Sequence, residues 1–356
     1  MQKIENIAIK NFKSIRDAMI SDCRRVNIFI GYPNVGKSNI LEALGLFSID
    51  GNINDFLKFV RIENSTGLFF NGNISEKAEV KLNYKNRIVI KYSNEFVTFS
   101  NQYDKEGFGF EEIDESQLRI QEEKDLPVIS SFEISHNKRV INAFRGNSSS
   151  NHEGAISAIY KYEFDKNTDY VSGSSSHLSN PLGENIFDVI SSNDIIRKEI
   201  IDLFKNYELK FSFDKSTREF KILKDVGDDI FLISYSMIAD TLQRLIFFKA
   251  AIQSNKKAIL LFEEPEAHMF PPYISKFTSD IIYDKNDNQY FIATHSPFVL
   301  NDFMEDMDKQ DLSIYVVGLK EGETIVRRLT DDEITEIYQY GIDLFFNLEN
   351  FLKDAV

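Results

Sequence analysis

The sequence contains a single cysteine, Cys23, and no tryptophan. One cysteine excludes a disulfide framework and a metal site built from several cysteines, and it favours a reducing compartment. No apolar run approaches the roughly 20 residues that a membrane-spanning helix needs. The opening stretch MQKIENIAIKNF carries charges where a secretory signal peptide has an apolar segment. We therefore predict a cytoplasmic protein with no membrane association.

Basic residues are in deficit, with 41 Lys and Arg against 56 Asp and Glu and a net charge of −15. This balance argues against a broad nucleic-acid surface, although it leaves room for a local groove because much of the acid is concentrated. Residues 104–125 hold an acidic run, DKEGFGFEEIDESQLRIQEEKD. We interpret that run as a solvated loop or exposed helix face in preference to a partner-binding patch.

The 356 residues are 42% hydrophobic, which is enough for a large core and excludes a disordered chain. Short apolar runs such as VNIFI, KKAILLF and QYFIAT predict buried strands, and SNILEALGLF, NIFDVISSNDIIRKEIIDLFKNY (185–207) and SMIADTLQRLIFFKAAIQSN predict helices. The stretch ELKFSFDKSTREFKIL (208–223) predicts a hairpin. Runs of β-branched and aromatic residues over 66–100 predict an antiparallel meander. Ser, Asn and Gly-rich stretches within 146–183 predict surface loops. The pattern favours an α/β fold.

The stretch GYPNVGKS lies between the strand VNIFI and the helix SNILEAL. It fits the pattern GxxxxGK[ST] in the strand–loop–helix context that a phosphate-binding loop requires. Backbone N–H groups of 34–38 can surround a β-phosphate at the positive end of the helix dipole. Lys37 is expected to reach the β- and γ-phosphates, and the Ser38 hydroxyl to bind Mg²⁺. The predicted nucleotide-binding residues are Gly31, Asn34, Val35, Gly36, Lys37, Ser38 and Asn39.

Two further strands end in polar residues. AILLFEEPEAH places Glu263 and Glu264 at the carboxyl end of a buried strand, where ligands bind in α/β sheets. Adjacent residues on an extended chain point opposite ways, so we expect different roles for the two carboxylates. Glu263 is predicted to act near Mg²⁺ through water, and Glu264 to take the proton from the attacking water. In FIATHSP, His295 is a candidate to bind the γ-phosphate or orient that water.

Together these motifs resemble the ABC-type P-loop ATPases of the soluble SMC/RecF/OLD-like branch. The resemblance covers most of the chain and runs through IAIKNFKSIRD, VNIFIGYPNVGKSNILEAL, ILLFEEPEAHMFPP and FIATHSPFVL. It implies an ABC-ATPase head with a parallel or mixed sheet core, an antiparallel meander and a helical lobe, without a long coiled coil. It also implies ATP and Mg²⁺ as ligands, and a homodimer or higher oligomer that clamps ATP between two heads.

The resemblance suggests a division of one ABC-type domain, 1–356, into parts. These are a meander of the N-terminal lobe at 66–100, a helical and loop insertion at 146–235, a C-terminal lobe with the acidic and histidine strands at 236–330, and a C-terminal helix and tail at 331–356.

The family's signature segment, which contacts the γ-phosphate across the dimer, corresponds to ISYSMIADTLQRL. This stretch lacks glycine, and Ser236 is the candidate to supply the hydroxyl. Gln102 and Gln121 are both candidates for the family's Q-loop glutamine. Arg145 stands where the family often carries an arginine near the nucleotide, but we interpret it rather as an ion-pair residue.

The resemblance favours an ATPase whose nucleotide state gates a separate effector, a nuclease or a toxin, in bacterial anti-phage defence. Two alternatives are a DNA-repair ATPase of RecF type that binds nucleic acid directly, and a hydrolysis-poor nucleotide-sensing scaffold. The negative charge favours the first over the second and predicts weak or absent direct nucleic-acid binding. The presence of both Glu264 and His295 favours the first over the third.

Overall fold

The computed structural model describes most of the chain. The described residues are 3–48, 60–62, 64–93, 96–103, 128–135, 140–145, 158–166 and 170–353. The contact pattern divides the chain into two compact units, one formed by Met1–Ile159 with Gln310–Val356 and the other by Tyr160–Lys309. The predicted part boundaries within the single ABC-type domain stay a prediction.

The elements follow in chain order. The strands are β1 (Ile7–Phe12), β2 (Ile15–Ile20), β3 (Val26–Ile30), β4 (Ala78–Leu82), β5 (Asn86–Ser93), β6 (Phe96–Tyr103), β7 (Val128–Ser135), β8 (Val140–Arg145), β9 (Ile159–Tyr162), β10 (Lys210–Asp214), β11 (Glu219–Val226), β12 (Asp229–Ser234), β13 (Ile259–Glu263), β14 (Gln289–Ala293), β15 (Leu312–Lys320) and β16 (Glu323–Arg328). The helices are α1 (Lys37–Gly45), α2 (Ile186–Ser192), α3 (Asp194–Lys205), α4 (Asp240–Ser254), α5 (Pro271–Ile282), α6 (Pro297–Asp306), α7 (Asp331–Tyr340) and α8 (Leu348–Leu352).

The first unit contains a seven-stranded antiparallel sheet in the order β2-β1-β4-β5-β6-β7-β8. It also contains the strand series β16-β15-β3, in which β15 runs parallel to β3 and antiparallel to β16. All five residues of β3 are buried, as the continuous apolar run predicts. The strand ends at Ile30, so the glycine-rich loop begins where β3 leaves the core.

The second unit contains the strand series β14-β13-β9, in which β13 and β14 run parallel. Every residue of β14 and the first four of β13 are buried, which explains why both sequences are largely apolar. A separate antiparallel sheet has the order β10-β11-β12. The predicted hairpin over 208–223 is confirmed, and β12 adds a third strand to it.

The structure corrects two local predictions. Residues 66–72, predicted as part of the meander, form two short 3-10 turns, and the strands begin at Ala78. The strand is broken there because Asn71 and Gly72 have left-handed backbone angles, with φ of 50° and 70°. The helix predicted across 185–207 is two helices. Asn193 interrupts it, since its side chain accepts hydrogen bonds from the first backbone N–H groups of α3 and caps that helix.

The acidic segment and the candidate glutamine and arginine residues lie outside the described ranges or close to their ends. The acidic segment 104–125 and Gln121 lie outside the described residues. Gln102 lies in β6, and Arg145 is the last residue of β8. Within the described ranges, none of the helices combines the length and the apolar character needed to cross a membrane.

Candidate functional site

The glycine-rich loop joins β3 to α1 in the first unit. Gly36 has a φ of 100°, which favours glycine, and α1 begins at the next residue. A Cβ on Gly31 would lie 2.2 Å from the backbone oxygen of Val317 in β15, so only glycine fits there. The Lys37 side chain is buried and its Nζ donates to the carbonyl oxygens of Gly31 and Tyr32, at 3.0 and 2.9 Å. The loop therefore folds around its own lysine, in the strand–loop–helix arrangement that the sequence pattern predicts. Contact of Lys37 with phosphates stays a prediction.

Three linked hydrogen bonds hold this loop in place, and no pattern in the sequence indicates them. Asn39 Nδ2 donates to Ser14 Oγ at 2.7 Å, and Thr324 Oγ1 donates to the Val35 carbonyl at 3.0 Å. The two hydroxyl oxygens lie 2.7 Å apart. Because the single proton of Thr324 is used on Val35, Ser14 must donate to Thr324. We call Asn39, Ser14, Thr324 and Val35 the loop latch.

A cavity of about 240 Å³ lies beside the start of α1 and is lined in part by Asn39, Lys13 and Arg61. The fully buried Glu42 of α1 forms ion pairs with both Lys13 and Arg61, with 2.6 Å between its Oε1 and Arg61 Nε. Lys13 and Arg61 therefore share the Glu42 carboxylate at the wall of this cavity.

The acidic and histidine strands end in the second unit. Glu264, directly after β13, has a φ of 44°, which is uncommon for a residue other than glycine and is often found at functional sites. Its backbone N–H donates to the Ala293 carbonyl at the end of β14, at 2.8 Å. The Glu264 carboxylate is about half exposed, and its Oε1 lies 3.3 Å from Nε2 of His295. The structure thus brings these two predicted residues together.

Glu263 lies at the end of β13, and its carboxylate is paired with Lys161 Nζ at 2.9 Å. Lys161 is a β9 residue that is 2% exposed. Its ammonium group needs a carboxylate partner to be buried at all. Sequence reasoning missed Lys161, because one lysine in the strand IYKY gives no sign of its burial.

Glu266 is a second residue that sequence reasoning missed. Its Oε1 accepts hydrogen bonds from Thr294 Oγ1 at 2.6 Å and from the His295 backbone N–H at 3.0 Å. Burial raises the pKa of Glu266, partly offset by these hydrogen bonds, and the nearby Glu264 carboxylate raises it further.

Ser236, the predicted signature residue, is exposed and lies in the 3-10 turn Tyr235–Met237, shortly before α4 begins at Asp240. Met237 beside it is 77% exposed. The hydroxyl of Ser236 is therefore accessible to a partner molecule.

Few side chains of the described residues are suited to bind Mg²⁺. In the part of the chain that the structure describes, no group of three or more His, Cys, Asp or Glu side chains could hold a metal ion. Magnesium at nucleotide sites typically uses one or two protein ligands and completes its shell with phosphate oxygens and waters. The half-buried hydroxyl of Ser38 and the carboxylate of Glu263 are donors of that kind.

Residues 26–301 match the family AAA_21, described as "AAA domain, putative AbiEii toxin, Type IV TA system". The match spans more than half of the chain. The chain belongs to this family. The matched range begins with β3 and ends just after the histidine strand, so it includes both halves of the predicted site.

Two curated proteins match shorter stretches. The uncharacterized protein MJECL10 of Methanocaldococcus jannaschii is 38% identical over 95 residues, which is 26% of this chain and 42% of that protein. The protein ea59 of Escherichia phage lambda is 42% identical over 50 residues, which is 14% of this chain and 10% of that protein. The matches therefore span less than half the length of either relative.

A crystal structure of an SMC head bound to the C-terminal winged-helix domain of ScpA resembles this chain over 94% of its length and 100% of that chain. The TM-score is 0.53 and the sequence identity is 17%. At this identity the likeness shows the fold alone. The chain thus has the SMC-head-like fold of the ABC-type P-loop ATPases, as its motifs predicted.

Proposed function

We propose that this chain is a Mg²⁺-dependent ATPase. The observation that carries the proposal is the pair formed by Glu264 and His295. A carboxylate held on a left-handed backbone, half exposed and 3.3 Å from an imidazole, suits a group that must accept a proton from water. The family membership and the loop around Lys37 support a nucleotide as the substrate.

In this proposal the backbone N–H groups of the glycine-rich loop and the N-terminus of α1 bind the phosphates. When the nucleotide binds, the Lys37 ammonium leaves the two loop carbonyls that it contacts and donates to phosphate oxygens. Hydrogen bonds from the ammonium to charged phosphate oxygens are stronger than those to neutral carbonyls. Ser38 and Glu263 would hold Mg²⁺, with Lys161 fixing the direction of the Glu263 carboxylate. Bound Mg²⁺ neutralises negative charge on the phosphate oxygens. The cavity beside Asn39 is the proposed place of the nucleoside.

Glu264 is the proposed general base. It takes one proton from a water molecule whose oxygen attacks the γ-phosphorus, and the bond from that phosphorus to the β-phosphate oxygen breaks, which releases ADP and phosphate. His295 orients the carboxylate and the attacking water. The exposed half of the Glu264 side chain gives the water access to it.

The test compares ATP turnover in the wild-type protein with that of Glu264→Gln. We expect a loss of roughly 10²–10⁴-fold in kcat, because the amide keeps the shape of the side chain but cannot accept the proton. ATP binding should persist in calorimetry. Glu305→Gln, a change of the same kind on the exposed surface of α6, serves as the matched control and should turn over at the wild-type rate. Equal rates in all three proteins would refute the assignment.

We further propose that two heads associate around ATP and that this association gates a separate effector protein. The accessible Ser236 supports a contact with the nucleotide of a second copy. The family description names a putative toxin and a toxin–antitoxin system. The proposed effector is a toxin or a nuclease that acts in anti-phage defence. Light scattering of the Glu264→Gln protein should show an ATP-dependent doubling of mass that Ser236→Ala in the same background weakens. An unchanged mass with and without ATP would count against the clamp.

A further inference from the structure

The segment after β13 and the end of β14 are joined at several points. The Glu264 N–H donates to the Ala293 carbonyl, and Glu266 Oε1 accepts from the next two residues of that second segment, Thr294 and His295. The Thr294 hydroxyl in turn accepts from the Ser296 N–H at 3.0 Å. Glu266 therefore sets the backbone position from which the His295 side chain extends.

The buried surroundings of the Glu266 carboxylate lower the stability of the folded protein. Its Oε2 is buried and has no hydrogen-bond partner. A buried carboxylate oxygen without a partner lowers stability, and a glutamine or an apolar side chain could fill the same space at lower cost. What the two donors require at position 266 is an acceptor oxygen, which Oε1 supplies.

We infer that Glu266 is a positioning residue that holds the His295 imidazole opposite the Glu264 carboxylate. The expected effect on kcat rests on the proposed ATP hydrolysis. The position of the His295 imidazole does not depend on that reaction. Glu266 Oε1 accepts one hydrogen bond from the Thr294 hydroxyl and one from the His295 backbone N–H. Loss of this acceptor therefore moves the imidazole relative to Glu264. A small displacement of a catalytic group costs on the order of 10²-fold in rate.

The test compares Glu266→Met, which has similar length but no strong acceptor, with Glu266→Gln, whose amide oxygen still accepts both hydrogen bonds. We expect Glu266→Met to lose roughly 10- to 100-fold in kcat with KM within about threefold of the wild type. Glu266→Gln should keep kcat within about fivefold. A Gln variant as slow as the Met variant would overturn the inference, because the acceptor would then not be what matters.

A second readout does not depend on turnover. The chain has five histidines, so the imidazole resonances of a protein labelled with ¹⁵N-histidine can be resolved, and His295→Gln assigns the resonance of interest. The His295 ring nitrogens should shift in Glu266→Met and stay in place in Glu266→Gln. A stability loss with an unmoved His295 resonance would show a structural role only and overturn the inference.

If Glu266→Met fails to fold, Thr294→Val replaces it. Valine removes one of the two donors to Glu266 and leaves the His295 N–H in place, so a smaller shift of the same resonance and a smaller loss of kcat are expected. An unmoved resonance in a folded Thr294→Val protein would contradict the inference. If the wild-type protein hydrolyses no ATP, the proposed function fails, whereas the His295 resonance still decides this inference.

Discussion

Replacing Thr324 with valine removes the hydroxyl in the middle of the loop latch and keeps the shape of the side chain. Thr324 is 1% exposed, and its Oγ1 takes part in two of the three hydrogen bonds of the latch. The change leaves the carbonyl of the buried Val35 without its donor, while the half-buried Ser14 hydroxyl can turn to solvent. The perturbation is therefore confined to the support of the glycine-rich loop.

The expected loss of stability follows from the one buried carbonyl, that of Val35, that loses its donor. One buried polar group without a partner costs about 1–3 kcal/mol in the free energy of unfolding. If the loop loses its fixed shape, ATP must restore that shape on binding, so the same energy sets the upper bound on lost affinity. At 1.4 kcal/mol for each tenfold change, this bound corresponds to ATP binding that is roughly 5- to 140-fold weaker.

The assay is a calorimetric titration with ATP, together with urea unfolding of each protein. Thr324→Ser is the matched control, because it keeps the hydroxyl and loses only a methyl group, worth about 1 kcal/mol of stability. Its ATP affinity should stay within about threefold of the wild type. The role of the latch would be refuted if Thr324→Val bound ATP as tightly as the wild type. It would also be refuted if Thr324→Ser bound ATP as weakly as Thr324→Val.

Three further outcomes can be measured. Lys37→Ala should lose most of its affinity for ATP in calorimetry, and unchanged binding would remove the lysine from the site. Burial raises the pKa of the Cys23 thiol to about 12, so a thiol reagent at pH 8 should label the folded protein far more slowly than the protein in denaturant. Duplex DNA should bind at best weakly at ~150 mM salt in fluorescence anisotropy, and a Kd well below the non-specific range of roughly 10⁻⁴–10⁻⁶ M would favour the DNA-repair alternative.

A pH prediction follows from Glu266. Because its pKa is raised in the folded protein, the folded state holds more protons than the unfolded state between the two pKa values. Its contribution to stability is therefore present at low pH and is lost as the pH rises through the folded pKa. Urea unfolding should show Glu266→Gln gaining stability relative to the wild type between pH 4 and pH 7. A constant difference across that range would contradict the buried carboxylate.

The sequence predicted those parts of the fold and candidate site that depend on local pattern. The burial of β3, β13 and β14 follows from largely apolar runs, and the strand–loop–helix arrangement around Lys37 follows from the fixed spacing of its glycines and lysine. The latch and the Lys161 pairing could not be predicted, because they join residues far apart in sequence through ordinary side chains. A threonine in β16 or a lysine in β9 gains its role only when the strands have assembled. Glu264 was predicted from its place after an apolar strand, but its left-handed backbone was not.

The loop latch has a consequence for how the protein is made. Val35 and Thr324 are 289 positions apart in the chain, so a ribosome that adds 5–20 residues per second completes the second about 15–60 s after the first. Throughout that interval the glycine-rich loop lacks the hydroxyl that fixes it. Nascent chains should therefore reach full affinity for ATP only after Thr324 has been made and β16 has paired with β15.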